Sequence, residues 1–217
     1  MVFPLFYAFY YQEKVATYAF LSSMVITILS GLFLHFSYKT EGEIGRKEGF
    51  AIVTLGCIIA ATFGTIPFLI SGTFANFIDA YFESMSGFTT TGATVLLSIE
   101  DNPLSILFWR NQIQWMGGMG IIVLVVAILP VLGVGGVQLF KSGTPGPEPD
   151  KLKPRIKETA KTLYQVYFIL SLLQVACLYL TGMSLYEAIT FMFSTMATAG
   201  FSPKSLSVAH WNNPSYD

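Results

Sequence analysis

The sequence is poor in charge. Of its 217 residues only 12% are Asp, Glu, Lys or Arg, whereas soluble globular domains carry about 25% charged residues. Apolar residues make up 53% of the chain, and the mean hydropathy is +0.59. Too little polar surface remains to cover a globule in water. This composition excludes a disordered chain and a soluble domain and predicts an integral membrane protein.

Cysteine and histidine are also scarce. Cys57 and Cys177 each lie inside an apolar run, where a thiol behaves as a small hydrophobic group, so a disulfide scaffold is excluded. Two histidines cannot form a zinc cluster. No nucleophile or acid–base arrangement stands out, so we expect neither an enzyme nor a cofactor. The net charge of −1 gives no reason to expect nucleic acid as a partner.

Long apolar runs without charge predict membrane-spanning helices, because a bilayer core about 30 Å thick needs about 20 apolar residues. Four runs qualify: residues 15–37, 49–71, 111–140 and 162–181. The third is too long for one span, and we expect its membrane part to end near Pro130, where proline removes a helical hydrogen bond. Residues 1–10 are apolar but too short, and we interpret them as the tail of a helix whose start is missing.

Basic residues orient these spans. Nine of the twelve lie in two loops on the same side, at Lys39, Arg46, Lys47, Lys141, Lys151, Lys153, Arg155, Lys157 and Lys161. By the positive-inside rule these loops are cytoplasmic. The opposite face is predicted to be acidic, with Glu13, Asp79, Glu83, Glu100, Asp101, Glu187 and Asp217. Such a face concentrates cations near a pore mouth.

Two further apolar stretches, residues 80–88 and 188–197, are too short to cross a bilayer, so we predict re-entrant half-helices. They match each other when the sequence is shifted by 108 residues, which aligns Asp79 with Glu187, Ser86 with Ser194, Thr90 with Thr198 and Gly92 with Gly200. Each copy therefore consists of a helix, a loop, a half-helix with its acidic residue at the start, and a Thr/Gly segment. A second helix follows the first copy.

A Thr/Gly segment after a half-helix is suited to binding a cation. Irregular backbone at membrane depth must be buried in protein or line a watery cavity, and carbonyls in a narrow pore can replace the hydration shell of potassium. The alternative is that these residues only pack helices or form turns, and the repeat favours the pore. Residues 117–120 (GGMG) are interpreted as close helix packing.

Several long strings resemble the Trk-type potassium uptake transporters of the Trk/Ktr/HKT superfamily, and the Trk branch in particular. They are residues 82–94 (FESMSGFTTTGAT), 114–122 (QWMGGMGII), 127–139 (AILPVLGVGGVQL), 145–147 (PGP) and 154–163 (PRIKETAKTL). The resemblance implies an all-α membrane protein of four helix–pore-loop–helix units arranged around one pore, as in potassium channels. This sequence resembles the N-terminal half, and we expect it to be truncated at both ends.

The resemblance also implies a site and partners. Potassium, as substrate, would bind at the filter residues of two units, which are Thr90, Thr91, Gly92, Thr198, Ala199 and Gly200. Passage would be passive and gated from the cytoplasm of a bacterium, through a multi-pass protein of the inner membrane. A cytosolic nucleotide-binding regulatory subunit and a second copy of the full-length protein would be partners.

The predicted organisation has four parts. Residues 1–47 form N-terminal peripheral helices, residues 48–140 the first helix–pore–helix repeat, residues 141–161 a cytoplasmic linker and residues 162–217 an incomplete second repeat. Two other functions stay open from the residues alone. One is a sodium-coupled potassium symporter, and the other is a non-conducting truncated fragment or accessory subunit.

Overall fold

A computed structural model describes residues 1–37, 46–128 and 149–211, with side chains at 1–37, 51–121 and 158–211. All regular elements in these ranges are helical, which confirms the predicted fold class. The α-helices are α1 Val2–Tyr10, α2 Lys14–Ser37, α3 Arg46–Ile70, α4 Phe77–Phe88, α5 Leu104–Ile128, α6 Pro149–Leu180 and α7 Leu185–Met196. A short 3-10 helix follows at Ser207–Trp211.

Three helical segments are long and apolar enough to cross a membrane: Lys14–Ser37, Ala51–Ile70 and Glu158–Leu180. They match three of the four predicted spans. Their outer faces expose large apolar side chains, including Ile28, Leu29 and Phe33 on α2 and Phe168, Ile169 and Leu172 on α6. Such continuous apolar surface suits a lipid environment. The expected end of the third span near Pro130, and the predicted domain boundary at residue 140, lie outside the described residues.

Helix α5 begins at Leu104, seven residues before the predicted start at Asn111. The prediction was wrong because it treated Arg110 as the end of an apolar run, although this side chain is buried and paired with Glu83. The helix start is also stabilised from a distance. The Glu13 carboxylate accepts hydrogen bonds from the backbone amides of Leu104 at 2.7 Å and Ser105 at 3.2 Å, which are among the amides that a helix N-terminus leaves unpaired.

Helix α6 begins at Pro149 rather than at Thr162. Proline suits the first turn of a helix, since its missing N–H would have no partner there. A helix can also extend beyond the bilayer, which a search for uncharged runs does not detect. The described part of the predicted linker, residues 149–161, is therefore helical, and residues 141–148 lie outside the described residues.

The two short helices, α4 and α7, have 12 residues each. At 1.5 Å per residue each is about 18 Å long, well short of a bilayer core of about 30 Å. Both begin with a side-chain cap. The Asn76 side chain accepts from the Asp79 amide at 2.9 Å, and Ser184 and Glu187 form a capping box. The helices begin three residues before the predicted stretches, because the two acidic residues lie inside the first turn, where a carboxylate is favoured.

Helix α5 lies between the two short helices and packs against both. Glycines allow close approach here. A Cβ atom on Gly117 would lie 2.3 Å from the Phe88 carbonyl oxygen, and one on Gly118 would lie 2.6 Å from the Tyr167 hydroxyl. The prediction of close helix packing is confirmed at these two positions. A Cβ atom on Gly120 would meet no described atom within 4 Å.

The length of α4 and α7 gives a test of topology. In a Cys57→Ala, Cys177→Ala background, single cysteines at Thr73, Ser98 and Ser184 should all react with an impermeant thiol reagent from outside, because neither short helix can cross the bilayer. A cysteine at Ser142, in the predicted linker, is the control and should react only from the cytoplasm. Labelling of Ser98→Cys from the cytoplasm alone would mean that α4 crosses the membrane.

Candidate functional site

Each short helix leads into an irregular segment that holds three of the predicted filter residues. We call residues 89–95 loop 1 and residues 197–203 loop 2. Left-handed backbone occurs at the same two positions of each: Thr90 has φ +56° and Gly92 +74°, while Thr198 has +53° and Gly200 +104°. The residue between them, Thr91 or Ala199, is not left-handed. The two loops therefore share the same alternation of left-handed and other backbone conformations.

The backbone hydrogen bonds of the two loops also match. In each loop, two amides donate to carbonyls in the last turn of the preceding helix. The pairs are Thr90 to Gly87 at 3.0 Å and Thr91 to Ser86 at 2.9 Å in loop 1, and Thr198 to Thr195 at 3.0 Å and Ala199 to Ser194 at 3.0 Å in loop 2. All four positions are related by the same shift of 108 residues. The repeat seen in the sequence is thus present in the backbone.

Two serines at equivalent positions of the repeat form hydrogen bonds to the loop backbones through their hydroxyl groups. The Ser86 hydroxyl donates to the Ala93 carbonyl at 2.6 Å, and the Ser194 hydroxyl accepts from the Gly200 amide at 3.0 Å. Both serines are buried. They were matched when the repeats were aligned but were not predicted as site residues. Their shared register was the signal that could have identified them.

Glu83 anchors the end of loop 1. Its side chain is fully buried, and its carboxylate accepts from the Thr94 hydroxyl at 2.7 Å and from the Val95 amide at 3.0 Å. It also accepts from Arg110 Nε at 2.6 Å. Glu83 is therefore not one of the exposed charges of an acidic outer face, and that prediction was wrong for this residue. A buried, paired carboxylate adds little to the field outside the protein.

Loop 2 is held by helix α5. The Phe201 amide donates to Gln114 Oε1 at 3.2 Å, and Arg110 Nη1 donates to the Ser202 carbonyl at 3.1 Å. The guanidinium of Arg110 also lies over the Phe201 ring, 3.7 Å from its centroid, which is the geometry of a cation–π contact. Helix α5, which follows loop 1 in the chain, therefore positions loop 2.

The structure brings the two loops into direct contact. A Cβ atom on Gly92 would lie only 1.7 Å from the Ala199 carbonyl oxygen, so no side chain fits there. Around Gly200, by contrast, a Cβ atom would meet no described atom within 4 Å. An open cavity of about 410 Å³ adjoins loop 2 and is lined in part by Thr198, Ala199 and Gly200.

Two further hydrogen bonds join the segments that follow loops 1 and 2. The Glu100 carboxylate accepts from the Ser205 amide at 2.7 Å and from the Ser205 hydroxyl at 2.5 Å. These bonds, first the one from the hydroxyl, lower the pKa of Glu100 to about 2. Glu100 therefore stays ionised at any ordinary pH and keeps a negative charge at this end of the molecule. Among the described residues, no group of three His, Cys, Asp or Glu side chains converges to hold a metal.

Residues 16–216 match the family model described as TrkH, cation transport protein. The chain is 43% identical to the Trk system potassium uptake protein TrkH of Salmonella typhimurium and 42% identical to that of Escherichia coli K12, each over 217 residues. These alignments cover 99% of this chain and 45% of each relative. The chain thus spans less than half the length of the curated relatives it matches.

The fold of this chain also resembles that of a solved structure. The crystal structure of the potassium transporter TrkH from Vibrio parahaemolyticus superposes with a TM-score of 0.85 at 37% sequence identity. The match covers all of this chain and 43% of that one. Family model, sequence relatives and fold agree, and the chain belongs to the TrkH family of cation transport proteins.

Proposed function

We propose that this chain contributes to potassium uptake, and that loops 1 and 2 form two quarters of a potassium-selective filter. Both relatives described above are named as potassium uptake proteins. The observation that carries the proposal is the shared backbone of the two loops, left-handed at Thr90 and Gly92 and at Thr198 and Gly200. A filter of repeated units requires segments of similar backbone geometry that contact one another, and the two loops meet this requirement.

The chemistry follows from the carbonyls. A potassium ion that enters a narrow pore must exchange its water ligands for oxygens of similar strength, and backbone carbonyls supply them. Helices α4 and α7 end at the loops, so their partly negative C-terminal ends favour a cation there. Glu100 and Asp101, both exposed beyond loop 1, raise the local cation concentration outside. The ion itself passes unchanged, so this is transport and not catalysis.

The filter proposal predicts a specific effect of Gly92→Ser. In a protein of the relatives' full length, this variant should lower the level of inserted protein and, in the protein that does insert, remove the preference for potassium over sodium. Its side chain would meet the Ala199 carbonyl, and the left-handed φ adds strain of about 1 kcal/mol or more. The measurement is the ratio of potassium to sodium uptake per inserted protein, in cells that lack their own potassium transport.

Two further variants serve as controls. Gly64→Ala places a Cβ 2.6 Å from Ser84 Oγ, outside the loops, and should lower the protein level without changing the uptake ratio. Thr90→Val keeps the backbone carbonyl and should have a milder effect than Gly92→Ser. An unchanged ratio of potassium to sodium uptake per inserted protein for Gly92→Ser, at any protein level, would overturn the filter assignment.

The partners and location belong to the same proposal. We infer that the protein is a multi-pass protein of the bacterial inner membrane, acts as a homodimer at its full length, and is gated by a cytosolic nucleotide-binding subunit that docks on residues 141–161. Six basic residues of this linker support docking. The same charges could instead set topology and bind anionic lipid head groups.

Docking can be tested by neutralising charge in the linker. Replacing Lys151, Lys153 and Arg155 with Gln should reduce the amount of regulatory subunit that co-purifies with the transporter, because the docking contact would lose three cations. Glu13 and Lys14 are predicted to lie on the side of the membrane opposite the linker. A Lys14→Gln variant is therefore the control for the loss of a positive charge elsewhere. Undiminished co-purification of the triple variant would favour the role in topology and lipid binding.

Two other functions predict different results in a potassium uptake experiment. A sodium-coupled symporter would need sodium for potassium uptake, and a non-conducting fragment would support no uptake at all. Potassium uptake by the 217-residue chain alone, compared with the same chain within a protein of the relatives' length, separates a fragment from a working half. Repeating the measurement without sodium tests coupling.

A further inference from the structure

We propose that Arg110 and Glu83 form a clamp that sets the position of loop 2 relative to loop 1, and thereby the ion preference of the filter. The inference rests on the proposed function, because it treats the loops as a filter. The clamp has two arms. The Glu83 carboxylate holds Thr94 and Val95 just after loop 1's left-handed turn, and Arg110 Nη1 holds the carbonyl of Ser202 just after that of loop 2.

The clamp is buried throughout. Glu83 is 0% exposed and Arg110 2% exposed, and their side chains meet at 2.6 Å. A buried ion pair contributes little net stability, because the cost of removing two charges from water offsets their attraction. Its geometry is nevertheless strict, since each charge needs its partners in place. Such a pair is better suited to setting a position than to stabilising the fold.

The two repeats differ at this point. The position of the second repeat that corresponds to Glu83 is Phe191, which packs against Trp211. Loop 2 therefore has no carboxylate of its own at this register. Its end is instead held by Arg110 and Gln114 of helix α5. The position of loop 2 thus depends on a helix that belongs to the first repeat.

The shape of the guanidinium explains why arginine is needed. One nitrogen pairs with Glu83, a second binds the Ser202 carbonyl, and the planar face covers the Phe201 ring. Lysine carries the same charge but only one nitrogen, and it cannot reproduce a planar fork. Arg110→Lys should therefore keep a charge opposite Glu83 while releasing loop 2.

The first experiment measures ion preference and protein level together in a protein of the relatives' length. Arg110→Lys should insert at a near-normal level, while its ratio of potassium to sodium uptake falls by about tenfold, a loss of ion discrimination of about 1.4 kcal/mol. Lys204→Gln, which removes another cation of the same region, is the matched control and should leave the ratio unchanged. A ratio that stays normal in Arg110→Lys overturns the clamp, whatever the protein level.

The second experiment does not depend on conduction. Spin labels on cysteines at Leu97 and Leu206, exposed residues beyond loops 1 and 2, report the distance between the two segments in a Cys57→Ala, Cys177→Ala, Glu100→Ala background, in which the bonds from Ser205 to Glu100 no longer join them. Arg110→Lys should broaden this distance distribution, and Lys204→Gln should not. An unchanged distance distribution overturns the clamp even if the ratio of potassium to sodium uptake falls. Conversely, an unsubstituted protein without preference for potassium overturns the filter proposal, and the distance measurement still tests the clamp.

Discussion

Irregular backbone inside a membrane protein must be buried in protein that supplies its hydrogen-bond partners or must line a watery cavity, and the arrangement of this molecule follows from that constraint. Loops 1 and 2 lie beside short helices that end within the protein, where water cannot pair every amide and carbonyl. Their partners are side chains that would otherwise be out of place in an apolar interior: Ser86 and Ser194 on the short helices, and Glu83, Arg110 and Gln114 behind the loops. Each is buried, and each contacts a loop backbone.

Helix α5 connects these requirements. It packs against both short helices, its start is capped by Glu13 from the N-terminal segment, and its middle carries the polar groups that hold loop 2. Its glycines remove the side chains that would keep the helices apart, as Gly117 does against Phe88. The first repeat is thus not independent of the second, since α5, the second helix of the first repeat, supports loop 2. When a filter is built from units of a single chain, the side chains that hold each loop can differ from unit to unit. Four identical subunits do not allow such differences.

Burial and pairing change how the charges are interpreted. The face that the sequence predicts to be acidic is less negative than a count of its acidic residues suggests, because Glu83 is buried and paired with Arg110. Glu100 and Asp101 stay exposed, and the depressed pKa of Glu100, about 2, keeps its carboxylate ionised. The acidic residues therefore divide into those that hold the backbone and those that face solvent, and only the second group attracts cations from a distance.

Local patterns in the sequence determined the helical class, three of the spans, both short helices with their acidic first turns, and the register of the repeat, because each depends on neighbouring residues or on a fixed period. The same patterns placed Thr90, Gly92, Thr198 and Gly200 at equivalent positions, and the structure has them at equivalent left-handed turns. Only the tertiary structure decided the early start of α5, the burial of Glu83 and Arg110, and the contact of Gly92 with Ala199. These depend on partners 27 to 107 positions apart along the chain. A charge in an apolar run indicates a helix end when it is solvated and a helix interior when it is paired, and the pairing is set by the fold.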